Sequence, residues 1–150
     1  MSTSHDPRAY PDRPILAVSA AIICDGRVFI ARRARGPALG VWTMPGGVVE
    51  AGETLTAALL REILEETSMT IEPVALAGHR EVMVRDDAGC IQRHFVILCF
   101  ASRWVAGETV LNEELDEARW VRPSEFKDLK TTEGLDAIVA AAFERMEALG

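Results

Sequence analysis

Apolar residues come in two rhythms along this chain: compact runs bounded by turn residues, and longer stretches where they recur every three or four positions. "ILAVSAAIICDGRVFIARR" is of the first kind. It predicts two strands, Ile15–Cys24 and Arg27–Arg32, joined at Asp25-Gly26, a strong hairpin signal. "ARGPALGVWTMPGG" follows as a Gly/Pro-rich loop with a short apolar piece at Val41–Met44. Thr54 is placed to cap a helix running to about Thr67, although Ala57 supplies no capping-box partner. "EPVALAGHREVMVRD" and "CIQRHFVILCFASRWV" are both strand-like and are separated by Asp86-Asp87-Ala88-Gly89. A polar loop, "AGETVLNEELDEA", precedes a short strand at Arg119–Val121, and Pro123 can open a helical turn. Leu135–Leu149 then has helical periodicity, with Ile138, Ala141, Ala142, Met146 and Leu149 on the expected buried side. The prediction is an α/β domain, a sheet with one helix in mid-chain and one at the end.

The 150 residues suit one domain. Residues 1–13 are polar and proline-interrupted, so they predict a tail leading into a single domain over 14–150, and neither a signal peptide nor an anchor. No apolar run approaches the ~20 residues that span a bilayer. Cys24, Cys90 and Cys99 form no CxxC pair, and His5, His79 and His94 are scattered, so no zinc spacing emerges. The cysteines are expected to be reduced, buried thiols of a cytoplasmic protein. A net charge of −7 argues against a nucleic-acid polymer as partner. A small anionic ligand remains compatible with it, because a metal ion can bridge an acidic site to a phosphate.

That possibility is sharpened by "PGGVVEAGETLTAALLREILEETSM". On a helix, Glu62, Glu65 and Glu66 fall within an arc of roughly 100°. Leu60, Ile63, Leu64 and Ala57 lie opposite, where the core is expected. Like charges three or four positions apart cost about 0.2–0.5 kcal/mol per pair, and only Arg61 compensates within the helix. A merely solvated acidic face is the plain alternative. The loop upstream argues against it: Gly46-Gly47 lets backbone pass close to a neighbour, and Gly52-Glu53 adds a further carboxylate. Clustered carboxylate oxygens suit Mg²⁺ together with a substrate phosphate. Metal binding would relieve the repulsion.

This stretch resembles the Nudix hydrolase signature, G-x5-E-x7-R-E-U-x-E-E-x-G-U with U a bulky aliphatic residue. Gly47, Glu53, Arg61, Glu62, Ile63, Glu65, Glu66 and Met69 agree with it, and Ser68 stands where the family has glycine, so eight of nine positions match. The flanking "VFIARRA", "GVWTMPGG" and "DEARWV" also look like MutT-like and ADP-ribose pyrophosphatase-like members. The resemblance implies an α-β-α sandwich with a mixed sheet between helices. It further implies Glu65 and Glu66 as principal metal ligands, Glu62 as a ligand or the general base, and the Gly46 carbonyl as a further ligand. Arg61 and Glu53 would form an ion pair orienting the loop, and Gly47 would border the substrate. Arg33 looks like the family's substrate-contacting arginine. A further acidic ligand or base is expected before Trp120, with Glu114 the first choice and Glu117 the second. Trp42, Trp104 and Trp120 fit core packing or a strand-end role better than base stacking.

The activity implied is a Mg²⁺-dependent pyrophosphohydrolase, with Mn²⁺ as a substitute, acting on a nucleoside diphosphate linked to another group. ADP-ribose, giving AMP and ribose 5-phosphate, is the first expected substrate, and a modified nucleoside triphosphate the second. A nucleotide-sensing module without chemistry is the rival of another class, and the intact glutamates argue against it. A small-molecule nucleotide is the expected partner, with no nucleic-acid polymer and no membrane. The resemblance permits a homodimer.

Overall fold

The computed structural model describes residues 6–35 and 39–149. Residues 1–5 of the predicted tail, with His5, residues 36–38 of the Gly/Pro-rich loop, and the final residue lie outside this description. In chain order the elements are β1 (Ile15–Cys24), β2 (Arg27–Arg33), β3 (Trp42–Thr43), β4 (Gly46–Val48), α1 (Leu55–Thr67), β5 (Thr70–Arg85), β6 (Ile91–Ala106), β7 (Leu115–Val121), a 3-10 turn (Pro123–Asp128) and α2 (Leu135–Ala148). Among the described residues they build a seven-stranded sheet ordered β3-β2-β1-β6-β5, with β4 paired to β1 and β7 paired to β2. β1 and β6 run parallel and the other pairs are antiparallel. The sheet is therefore mixed, as expected.

Each face of the sheet carries one helix. The side chains of β1 alternate, and those of one set, Val18, Ala20 and Ile22, pack with Phe29 of β2 and with Ala58, Leu59 and Ile63 of α1. On the other face Ala21, Val28, Ile30, Cys99 and Ala101 pack with Leu135, Ile138, Val139 and Ala142 of α2. Helix, sheet and helix thus form the α-β-α sandwich. Burying a side chain such as Leu59 or Ile63 is worth roughly 1.5–3 kcal/mol, so these two layers hold α1 to the sheet.

Helix α1 is turned differently from the expectation. Leu60 and Leu64, predicted to face the core, are 38% and 56% exposed, and Ala57 is exposed too. The buried positions are Ala58, Leu59, Ile63 and Thr67. These flank Glu62 and Glu66 on the helix surface, so the helix rolls two of its carboxylates inward and leaves two leucines in solvent. The same kind of shift occurs in α2. There Leu135 and Val139 join Ile138 and Ala142 in the core, Ala141 and Met146 are half-buried, and Leu149 is exposed.

Two other corrections come from pairing. The acidic run before Trp120 is strand from Leu115 onward, not loop, because β2 neutralises it: Arg32 Nε lies 2.8 Å from Asp116 and Arg32 Nη1 lies 3.2 Å from Glu117. Gly46–Val48 forms an unexpected strand beside β1 because Gly46 has no side chain; a Cβ there would strike the Val18 carbonyl. Of the cysteines, Cys99 is buried, Cys24 half-buried and Cys90 exposed, so burial is not their common property. Residues 6–10 lie against the β5–β6 hairpin, with Arg93 Nη1 2.7 Å from Asp6 and the Tyr10 hydroxyl donating to Asp86 at 2.9 Å. No helix among the described residues is long and apolar enough to cross a membrane.

Candidate active site

Arg61 is the hub of the loop–helix junction. Its Nε and Nη2 each donate to a Glu53 oxygen at 2.7 Å, and Nη2 also reaches the Val48 carbonyl at 3.1 Å. Nη1 donates to Glu62 at 2.9 Å and to Glu65 at 3.3 Å. Glu53 in turn accepts from the Glu50 N–H at 2.9 Å. The Arg61 guanidinium, helped by that N–H, pulls the Glu53 carboxyl down to about 2. Glu53, and then Glu62, raise Arg61 in return. One arginine thereby ties the loop before α1 to three glutamates.

Glu62 is held from the other side by Gly47. A Cβ on Gly47 would land on the Glu62 carboxyl group. The two glycines therefore have separate jobs, Gly46 against β1 and Gly47 against a glutamate of α1.

The second group centres on Glu66. Burial, then the charges of Glu114 and Glu62, push its carboxyl up to about 7, while Arg33 and the Gly46 backbone N–H pull it back. Arg33 stands at the end of β2, and its Nε is buried with no hydrogen-bond partner among the described residues. Glu114 is exposed at the start of β7; its carbonyl accepts from the Ala34 N–H at 2.7 Å. Glu117, the second choice, instead bonds Arg119 at 3.0 Å and Arg32, away from this group. Asn112, which the sequence reading passed over, accepts from the Glu114 N–H at 2.8 Å and the Leu115 N–H at 3.1 Å. Its Nδ2 donates to the Glu66 carbonyl at 3.0 Å. An asparagine just before a turn is the signal that could have marked it.

The predicted site residues thus run along α1, from Glu53 before its first turn to Glu66 in its last, with Arg33 and Glu114 beside Glu66 and Glu117 apart from them. Arg61 bonds Glu53, Glu62 and Glu65 but offsets only one of their three charges, and Glu66 and Glu114 likewise outnumber Arg33, so negative charge is in surplus in both groups. Among the described residues no three acidic, histidine or cysteine side chains already stand close enough to hold one ion. The donor set nevertheless fits a hard divalent cation: the oxygens are carboxylate and carbonyl, and a half-buried Glu66 beside two like charges is a site that a cation would stabilise.

Ser68 takes the exit that the family glycine would take. It ends α1 in the left-handed region, φ 66°, with its N–H on the Leu64 carbonyl at 2.9 Å. Of the tryptophans, Trp42 is core, 5% exposed. Trp104 and Trp120 stand instead near the ends of β6 and β7, the other role expected of them, and line an open cleft of about 660 Å³ with Phe29, Met69 and Leu111.

The model of the NUDIX domain matches residues 13–142. The chain belongs to the Nudix family. Over 107 residues it is 32% identical to the ADP-ribose pyrophosphatase of Methanocaldococcus jannaschii, covering 71% of this chain and 61% of that protein. Over 62 residues it is 44% identical to the putative 8-oxo-dGTP diphosphatase 2 of Mycobacterium tuberculosis, covering 41% and 44% of the two chains. The matches therefore span less than two thirds of either relative's length. Among solved structures, the MutT NUDIX hydrolase from Burkholderia pseudomallei superposes with a TM-score of 0.73 at 24% identity, covering 87% of this chain and 98% of that one. That likeness gives this chain the Nudix fold.

Proposed function

We propose that this Nudix chain is a divalent-metal-dependent pyrophosphohydrolase that cleaves the diphosphate of a nucleoside diphosphate linked to another group. The observation that carries the reading is a half-buried Glu66 that feels the like charges of Glu114 and Glu62, beside an Arg33 whose buried Nε has no hydrogen-bond partner among the described residues. A solvated acidic face has no use for a half-buried glutamate or a buried guanidinium nitrogen without a partner.

Glu62, Glu65 and Glu66, with the Gly46 carbonyl, are the residues that would hold the metal. Mg²⁺, or Mn²⁺ in its place, would supply charge neutralisation for the diphosphate and acidify a water. The chain's own groups do the rest. Arg33 donates to phosphate oxygens, in a fork that lysine could not reproduce. A glutamate, Glu114 or Glu62, accepts the proton of the attacking water. The new O–P bond forms as the bridging P–O bond opposite it breaks, and the bridging oxygen leaves on the second phosphate. Arg61 and Glu53 position the loop and hold Glu62 in place. Gly47 leaves room for that carboxylate.

ADP-ribose is the first substrate on this reading, supported by the similarity to the archaeal ADP-ribose pyrophosphatase. A modified nucleoside triphosphate is the second, supported by the shorter match, of higher identity, to the putative diphosphatase. The work would be done in the cytoplasm. Purified protein incubated with ADP-ribose and with 8-oxo-dGTP, with and without Mg²⁺, tests it by chromatography of the products. AMP from ADP-ribose, lost without metal and in Glu65→Gln, is the expected result. Pyrophosphate from the triphosphate alone moves the substrate and keeps the chemistry. Ligand binding with no turnover of either makes the protein a sensing module and ends the enzyme reading.

A further inference from the structure

Glu114 lies on a segment with no helix or sheet to hold it until β7 begins. Something must nevertheless keep it opposite Glu66, since two like charges repel. We propose that Asn112 is the positioning residue that sets Glu114 against the catalytic helix. The inference rests on the reading of Glu114 as a functional carboxylate.

Asn112 uses both ends of its amide. Oδ1 accepts from the N–H groups of Glu114 and Leu115, at 2.8 and 3.1 Å, which folds the backbone into a tight turn under Glu114. Nδ2 donates 3.0 Å to the carbonyl of Glu66 itself, one of the last carbonyls of α1, which lack partners inside the helix. The backbone N–H of Asn112 closes on the Leu115 carbonyl at 3.3 Å. From the opposite side, the Ala34 N–H, next to Arg33, holds the Glu114 carbonyl at 2.7 Å. One side chain therefore links the residue that carries Glu66 to the turn that carries Glu114, and the end of β2 closes the triangle. The chemistry needs an acceptor and a donor together. Aspartate keeps the first and loses the second, serine is too short to span both, and only an amide of this length does both.

Asn112→Ala and Asn112→Asp separate the two halves of this role. Amide hydrogen exchange reads the turn: Glu114 and Leu115 are expected to lose protection at least 10-fold in Asn112→Ala and to keep it in Asn112→Asp. Steady-state kinetics read the link: kcat is expected to fall about 10–100-fold in both variants, as for other outer-shell partners, with KM within about threefold. Titration with Mn²⁺, followed by its paramagnetic signal, is expected to show weaker binding in both. Wild-type kcat and Mn²⁺ affinity in Asn112→Asp would overturn the link to α1, and unchanged exchange at Glu114 in Asn112→Ala would overturn the turn. Glu114→Gln is the separate control. If it retains wild-type kcat, the reading of Glu114 has failed, whatever Asn112 does to exchange. If it loses activity while both Asn112 variants behave as wild type, only the positioning role has failed.

Discussion

Arg61 grips Glu53 with two parallel bonds of 2.7 Å, through Nε and Nη2, and with the hydrogens left over it reaches Glu62, Glu65 and the Val48 carbonyl. Lysine has a point charge in place of this fork and cannot serve all of these partners. Arg61→Lys is therefore expected to lower kcat by about 10–100-fold while leaving the fold intact. A second readout follows from Glu53, whose carboxyl the guanidinium depresses to about 2. A carboxyl lowered by folding contributes stability above its ordinary pKa and loses it as pH falls toward the depressed value. Melting curves between pH 5 and 2 should thus show Arg61→Lys losing less stability on acidification than the parent. Equal slopes would mean that the fork does not exist in solution.

The adjacent glycines predict opposite phenotypes. A Cβ at Gly46 would meet backbone, the Val18 carbonyl and Ser19 Cα, which cannot step aside without breaking the β1–β4 pairing. A Cβ at Gly47 would meet the end of a side chain, Glu62, which can swing away. Gly46→Ala is expected to unfold or strongly destabilise the protein. Gly47→Ala should fold, melt within a few degrees of the parent, and lose about 100-fold in kcat, the cost of a misplaced catalytic group. Gly78→Ala is the control: its nearest foreign atom is Ile138 Cγ1 at 3.8 Å, so neither property should change.

Glu66 makes the metal-free protein sensitive to alkali. Its carboxyl is raised from 4.5 to about 7, first by burial and then by Glu114 and Glu62. Folding then favours the protonated form, so stability is greatest below the ordinary carboxyl pKa and falls as pH rises to about 7, by about 3 kcal/mol at most. Denaturant unfolding in a chelator between pH 4.5 and 8 should show this decline, and Glu66→Gln should flatten it. Mg²⁺ should restore the parent above pH 7, where the carboxylate is free to bind it, and do little at pH 5. A flat parent profile would contradict the burial of this charge.

The positions of the strands and helices were legible because runs of Val, Ile and Ala, the Asp25-Gly26 turn and the Thr54 cap each act locally. The facing of α1 was not. Reading it from hydrophobicity puts Leu60 and Leu64 inward, whereas the structure spends those leucines on solvent and turns Glu62 and Glu66 toward the sheet edge. A site that must bury charge overrides the apolar stripe, and periodicity cannot signal it. The spacing of the glutamates was legible through the family motif. The surroundings of Glu114 were not, since they depend on a register shift at Arg32/Arg33 and on Asn112 reaching back across the chain to Glu66. Only the folded chain brings those groups together.

The end of α1 offers a stabilising substitution. Ser68 sits at φ 66°, a left-handed conformation in which a Cβ crowds the following carbonyl at a cost of about 1 kcal/mol. The structure bears this cost without help from the serine, whose N–H bonds Leu64 as a glycine's would. The closing turn is held by its neighbour: Thr67 Oγ1 donates to the Ile63 carbonyl at 2.6 Å and accepts from the Met69 N–H at 3.2 Å. Across it, Gly107 passes so close that a Cβ would strike the Ser68 carbonyl, so the exit is fixed from outside as well. Ser68→Gly should therefore keep the same exit and raise Tm by about 2–4 °C. Because Glu65 and Glu66 precede this turn and do not rely on the Ser68 side chain, kcat should stay within about twofold of the parent. Thr67→Val, which removes the hydroxyl but keeps the bulk, should lower Tm instead, by a similar amount, since the buried Met69 N–H then loses its partner. A drop in Tm for Ser68→Gly would mean that the serine hydroxyl stabilises the turn.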